Sequence, residues 1–150
     1  MLFRSEDLFA ATPPLEAMKL LLSLAVTEGV GFKRGDKKGG KKLDFIDIKR
    51  AYFHALARRR VFIQLPAEDQ EEGMCGELAK SMYGTRDAAQ VWEHEYMQVM
   101  EGLGFRPGRV SPCTFYHAER GVRAVVHGDD FTLLAEEEQL DWFKIGRAHV

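Results

Sequence analysis

Apolar and polar positions alternate most regularly in the last third of the chain. Residues 122–127 read as one strand, Gly128-Asp129 as a two-residue turn, and residues 130–135 as the returning strand. Glycine tolerates positive φ at the first turn position, which suits Gly-Asp to a tight hairpin. Upstream, residues 43–48 (LDFIDI) predict a strand whose Leu43, Phe45 and Asp47 share one face. Residues 61–65 predict a strand stopped by Pro66, and residues 113–117 another, while residues 75–80 fit a strand or a turn. Helical spacing places Leu15, Met18, Leu22 and Ala25 on one stripe with Leu21 beside it. Thr12 suits the cap of that helix, Pro13 its first position and Glu16 its first turn, and Gly29 or Gly31 ends it. Residues 49–60 predict a helical turn or short helix in which Ala51, Tyr52 and Ala55 can pack. The longest helix is expected over residues 86–102, with Ala88, Val91, Trp92, Glu95/Tyr96, Val99 and Leu103 at helical spacing. In it Trp92 reads as core and His94 as surface, and Gly102 and Gly104 stop it. A last helix begins over residues 136–143, with Leu140 and Phe143 apolar.

The order helix, strand, helix, strand, helix, strand, hairpin, helix predicts an α+β layer in which helices back an antiparallel sheet. In such a layer the end of strand 43–48 can lie beside the 127–130 turn, which would bring Asp47 to Asp129 and Asp130.

Composition sharpens this only in places. With 45% hydrophobic and 29% charged residues the 150-residue chain can bury a core as one domain. The net charge of −2 hides an asymmetry, because residues 31–60 carry eleven Lys/Arg against Asp36, Asp44 and Asp47. Such a basic block suits a polyanion, although residues 31–42 (GFKRGDKKGGKK) read more readily as an inserted surface loop. Cys75 and Cys113 lack metal spacing and suggest no disulfide framework, which fits a reducing, intracellular compartment. The apolar run 15–26 is short and interrupted by Glu16 and Lys19, so no membrane span is expected. Residues 145–150 resemble a translated adapter rather than evolved protein. They are expected to be a non-native tail, with the natural chain continuing past Lys144.

Gly-Asp-Asp alone is also what a solvated turn looks like. The chemical reading rests on the third acid. Two adjacent carboxylates repel unless a cation sits between them, and hard divalent ions take such oxygen ligands. Phosphoryl transfer by two metals about 3.5–4 Å apart needs carboxylates from separate elements of one sheet. A strand ending in Asp47 and a hairpin carrying Asp129 and Asp130 have that form.

Several stretches resemble one family. Asp47-Ile48-Lys49-Arg50-Ala51-Tyr52-Phe53 is similar to the Asp-Val-Lys-x-Ala-Phe stretch of copia-type retrotransposon reverse transcriptases. Residues 61–66 (VFIQLP) resemble the family's (V/I)YM-x-QP segment, and residues 75–92 (CGELAKSMYGTRDAAQVW) its C-x-L-x-KSLYGLKQAPRAW segment. Residues 126–130 stand where the family has YVDD, and residues 11–26 resemble its SPVxxxxxxRxLLALAA helix. The order is right, and the matches cover nearly all of residues 10–135.

The resemblance implies a polymerase palm with part of the fingers over residues 1–144, making DNA from deoxynucleoside triphosphates on a primed RNA or DNA template. Asp47, Asp129 and Asp130 would be catalytic and would hold two Mg²⁺ or Mn²⁺ ions. The Ile48 carbonyl would add a ligand, Tyr52 would sit under the nucleotide sugar and exclude a 2′-hydroxyl, and Asp87 would border the incoming nucleotide. The partners implied are the remainder of a polyprotein, with integrase and ribonuclease H regions, in a cytoplasmic particle or the nucleus. Taken alone, the fragment is expected to lack robust activity. His127 and Gly128 depart from the residues usual before the aspartates, Asp87 replaces a glutamine and Ala89 a proline. A carboxylate at Asp87 would repel phosphate, which leaves a decayed nucleic-acid-binding remnant as one rival reading. The other is an RNA-dependent RNA polymerase palm, against which the aromatic Tyr52 argues.

Overall fold

The computed structural model describes residues 10–27 and 40–147, with side chains as far as Lys144. In chain order the elements are α1 (Leu15–Thr27), β1 (Lys42–Asp47), a 3-10 turn (Ala51–His54), β2 (Phe62–Ile63), β3 (Gly76–Glu77), α2 (Ala88–Gly102), β4 (Arg106–Pro107), β5 (Thr114–His117), β6 (Val122–His127), β7 (Asp130–Ala135) and α3 (Glu137–Arg147). The helix stop expected at Gly29 or Gly31, and most of the basic loop, lie outside the described residues. The chain divides into two units, one built from Arg50–Glu95 and the other from the described residues of Ala11–Lys49 and Tyr96–Val150.

The second unit holds a five-stranded antiparallel sheet in the order β1-β7-β6-β5-β4. Its interior strand β7, between β1 and β6, is buried from Phe131 to Ala135 without a break, because helices cover both faces. On one face Leu21 and Ala25 of α1 pack with Val125 and Leu134. On the other, Phe131 meets the ring of Tyr96 edge-on at 5.8 Å and that of Phe143 at 6.4 Å. Each fully buried aliphatic or aromatic side chain contributes about 1.5–3 kcal/mol, so this two-sided strand adds substantially to stability.

The α+β sheet with backing helices is as expected, and hairpin β6–β7 falls at the expected residues. Several details differ. Helix α1 starts at Leu15 rather than Pro13, with the Ala17 N–H donating to the Pro14 carbonyl at 2.9 Å. Its buried stripe is Leu21 and Ala25, while Leu15 and Leu22 are exposed. A helix with leucines at 20, 21, 22 and 24 is apolar almost all round, so periodicity alone could not select the face the sheet would cover. Strand β2 shrinks to two residues and pairs with β3. Strand β4 went unpredicted because a two-residue strand has no period to detect. Its Pro107 is tolerated at a sheet edge, where no ladder donor is needed.

Helix α2 starts at Ala88 and buries Ala88, Val91, Trp92, Tyr96 and Met100, leaving Val99 and Leu103 half-buried. It ends in a Schellman motif. The Phe105 N–H donates to the Met100 carbonyl at 3.0 Å, the Gly104 N–H to Glu101 at 2.9 Å, and Gly104 takes φ 93. Helix α3 buries Leu140 and Phe143 and runs on to Arg147. Cys75 is exposed and Cys113 buried, both as free thiols.

Candidate active site

Asp47 ends β1, Asp130 begins β7, and the two are direct ladder partners. The next residue, Ile48, donates its N–H to the Asp129 carbonyl at 2.9 Å. A bond in that position makes Asp47–Asp130 a non-hydrogen-bonded pair, the kind whose Cα atoms approach to about 4.5 Å and whose side chains stand closer. On its other side Asp130 pairs with His127. Asp47, Asp130 and His127 therefore form a row across three strands, on one face at one end of the sheet, and all three are exposed. Asp129 is half-buried on the turn beside them. Gly128 has φ 64, and Asp129 keeps a negative φ, the pattern of a type II′ turn with glycine first.

Like charges directly opposite on neighbouring strands cost stability. The Asp47–Asp130 pair is thus a feature that stability alone would not favour. Carboxylate oxygens here, with the Ile48 main chain adjacent, are the donors that hard divalent cations take. The side chains are not gathered into a finished ligand set, since among the described residues no three His, Cys, Asp or Glu form a group able to hold a metal. The fold brings together the main chain of all three acids and sets two carboxylates face to face, while Asp129 stays on the turn.

Tyr52 and Asp87 belong to the Arg50–Glu95 unit. Tyr52 lies on the 3-10 turn, half-buried, directly after the buried Ala51. That turn is entered through Arg50 in the left-handed region, at φ 58 and ψ 41. The Tyr52 ring lies 4.3 Å from the ring of Tyr83, centroid to centroid. Asp87 precedes α2, and its carbonyl accepts the Val91 N–H at 2.9 Å. Its carboxylate is not bare, because Arg59 Nε stands 3.2 Å from Oδ1 and the side chain is only 15% exposed. The carboxylate expected to repel phosphate thus has a cationic partner. Arg59 was missed because an ion pair across the fold leaves no local signal in sequence, and Tyr83 lay inside a recognised segment without a role. In the same unit Arg60 grips Glu77 through two hydrogen bonds, of 2.7 and 2.9 Å, and holds its carboxyl below the usual glutamate range.

A cavity of about 400 Å³ lies in the sheet unit between α1 and strands β4–β6, lined in part by Leu20, Leu24, Tyr116 and Arg123. It includes none of the acids. Among the described residues no helix is long and apolar enough to cross a membrane.

A mixed α/β fold with a helix-backed antiparallel sheet, and acids meeting at the end of its central hairpin, is that of a partial polymerase palm. Over residues 3–144 the chain matches the family described as reverse transcriptase (RNA-dependent DNA polymerase), and it belongs to that family. That membership makes it a polymerase domain of the nucleotidyltransferase type, with a nucleic-acid template and deoxynucleotides as the family's substrates. No curated protein and no solved structure matches it.

Proposed function

We propose that this chain is the palm portion of a copia-type retrotransposon reverse transcriptase, part of an intracellular polyprotein that also carries integrase and ribonuclease H regions. The observation that carries the reading is the facing pair Asp47–Asp130 with Asp129 on the adjoining turn. The reaction is attack of a primer 3′-hydroxyl on the α-phosphate of a deoxynucleoside triphosphate, with pyrophosphate leaving, on an RNA or DNA template. Asp47, Asp129 and Asp130 would hold two Mg²⁺ or Mn²⁺ ions, with the Ile48 carbonyl as a further oxygen. Bound there, such ions supply charge neutralisation at the attacking and leaving oxygens. The residues' own work is positioning. The ladder fixes Asp47 against Asp130, the type II′ turn presents Asp129, and the ring of Tyr52 excludes a 2′-hydroxyl from the sugar site. Asp87, held by Arg59, borders the nucleotide as a neutralised pair, and this favours a working element over a decayed one.

In a full-length reverse transcriptase containing this chain, Asp129→Asn is expected to abolish DNA synthesis on a primed template while the protein stays folded. Wild-type synthesis by that variant would remove Asp129 from the reaction. An RNA-dependent RNA polymerase would instead prefer ribonucleotides in the same assay.

A further inference from the structure

The Arg50–Glu95 unit contains an aromatic group of which the polymerase reading uses only Tyr52. The rings of Tyr52 and Tyr83 lie 4.3 Å apart at 32°, and Phe53 meets Tyr83 edge-on at 5.7 Å. Tyr83 is 43% exposed, more than the packing of a core ring requires.

The main chain around the two tyrosines is tied down. The Ser81 N–H donates to the Ala55 carbonyl at 2.9 Å, and the Ala57 N–H to Ala79 at 3.2 Å. Lys80 Nζ donates to the His54 carbonyl at 3.3 Å. These bonds clamp the segment leading to Tyr83 onto the 3-10 turn that carries Tyr52. Just past Tyr83 the chain turns through Gly84 at φ 88, and Thr85 donates to the Met82 carbonyl through both its N–H and its hydroxyl, at 3.1 and 2.8 Å. Beneath the turn, Ala51 and Ala55 are fully buried and anchor it.

We infer that Tyr83 is a positioning residue for sugar selection, the wall that holds the Tyr52 ring in the place where it excludes a 2′-hydroxyl. This rests on the reading of Tyr52 as the sugar gate. A tyrosine ring on a four-residue turn has two side-chain torsions with which to swing aside. A second ring against its face, delivered by a segment hydrogen-bonded to the same turn, removes that freedom. Tyr83 acts through Tyr52 and needs no contact with the nucleotide.

The test is the ratio of kcat/KM for deoxynucleotide over ribonucleotide in the full-length reverse transcriptase. Tyr83→Leu and Tyr83→Met, which remove the flat ring, are expected to lower this ratio roughly two- to tenfold, the range set by the worth of one aromatic pair. Tyr83→Phe, which keeps the ring, retains discrimination. The double variant with Tyr52→Ala is expected to be no more relaxed than Tyr52→Ala alone. Independent relaxation in the double variant would overturn the inference, because Tyr83 would then act on its own. So would loss of incorporation of both sugars by both the Leu and the Met variants. Relaxation by Tyr52→Ala but not by Tyr83→Leu would remove the wall and leave the gate standing. Unchanged sugar preference in Tyr52→Ala would remove the gate itself, and the inference with it.

Discussion

Asp47 and Asp130 face each other across the β1–β7 ladder, with His127 opposite Asp130 on the other side, and this predicts how single substitutions behave. Asp47→Asn removes a like-charge pair, so in the presence of a chelator it should raise stability by about 0.5 kcal/mol. In millimolar Mg²⁺ the unsubstituted chain should gain stability by ligand linkage, and the variant should gain less. Thermal melts with and without Mg²⁺ check both parts, and an identical Mg²⁺ response in the two proteins would detach Asp47 from the ion. These acids were legible in sequence because each sits at the end of an apolar run and Gly-Asp is a local turn signal. Arg59 was not, because its partner Asp87 lies 28 positions away and ion pairs have no periodicity. The same distance rule hides the facing of Tyr52 and Tyr83, although both residues stand within stretches that resemble the family.

Helix α3 is tied to β1 by charge, while its Phe143 packs against Phe131 of β7. Lys42 Nζ lies 2.7 Å from Glu137, and Lys144 Nζ lies 2.7 Å from Asp44. The hydrogen bond from Lys42, and then its charge, hold the Glu137 carboxyl below the usual range. Its contribution is therefore complete above the ordinary glutamate value and lost as pH falls through the lower folded value. Lys144 is held above the usual lysine value, first by its hydrogen bond to Asp44. Its contribution is complete at neutral pH and is lost as pH rises through that raised value. Unfolding midpoints across pH should decline at both ends, and Glu137→Gln should flatten the acid limb; superimposable acid limbs would show that this pair contributes nothing. Element existence was legible wherever a period ran long enough, as in β6, β7 and α2. The buried face of α1 was not, since its leucines surround the axis and only the sheet decides which of them are covered.

At the scale of the molecule, the two units differ in how they are held. One has a five-stranded sheet with helices on both faces, the other a pair of two-residue strands and a 3-10 turn. Amides of β6 and β7 should exchange with solvent slowest and those of β2 and β3 much faster, in native-state hydrogen exchange. Equal protection would mean that the small unit has stabilisation not accounted for by its short ladders. The division was not legible in sequence, where the composition suggested one domain, because it depends on which distant segments touch. Strand β1 is terminal in the sheet order, and its Phe45 is 67% exposed. A rim of this kind invites another copy to add a strand, the first step of fibre growth. Lys42 and Asp44 put charges of both signs along it, so variants that neutralise them should precipitate more readily besides losing their ion pairs to α3.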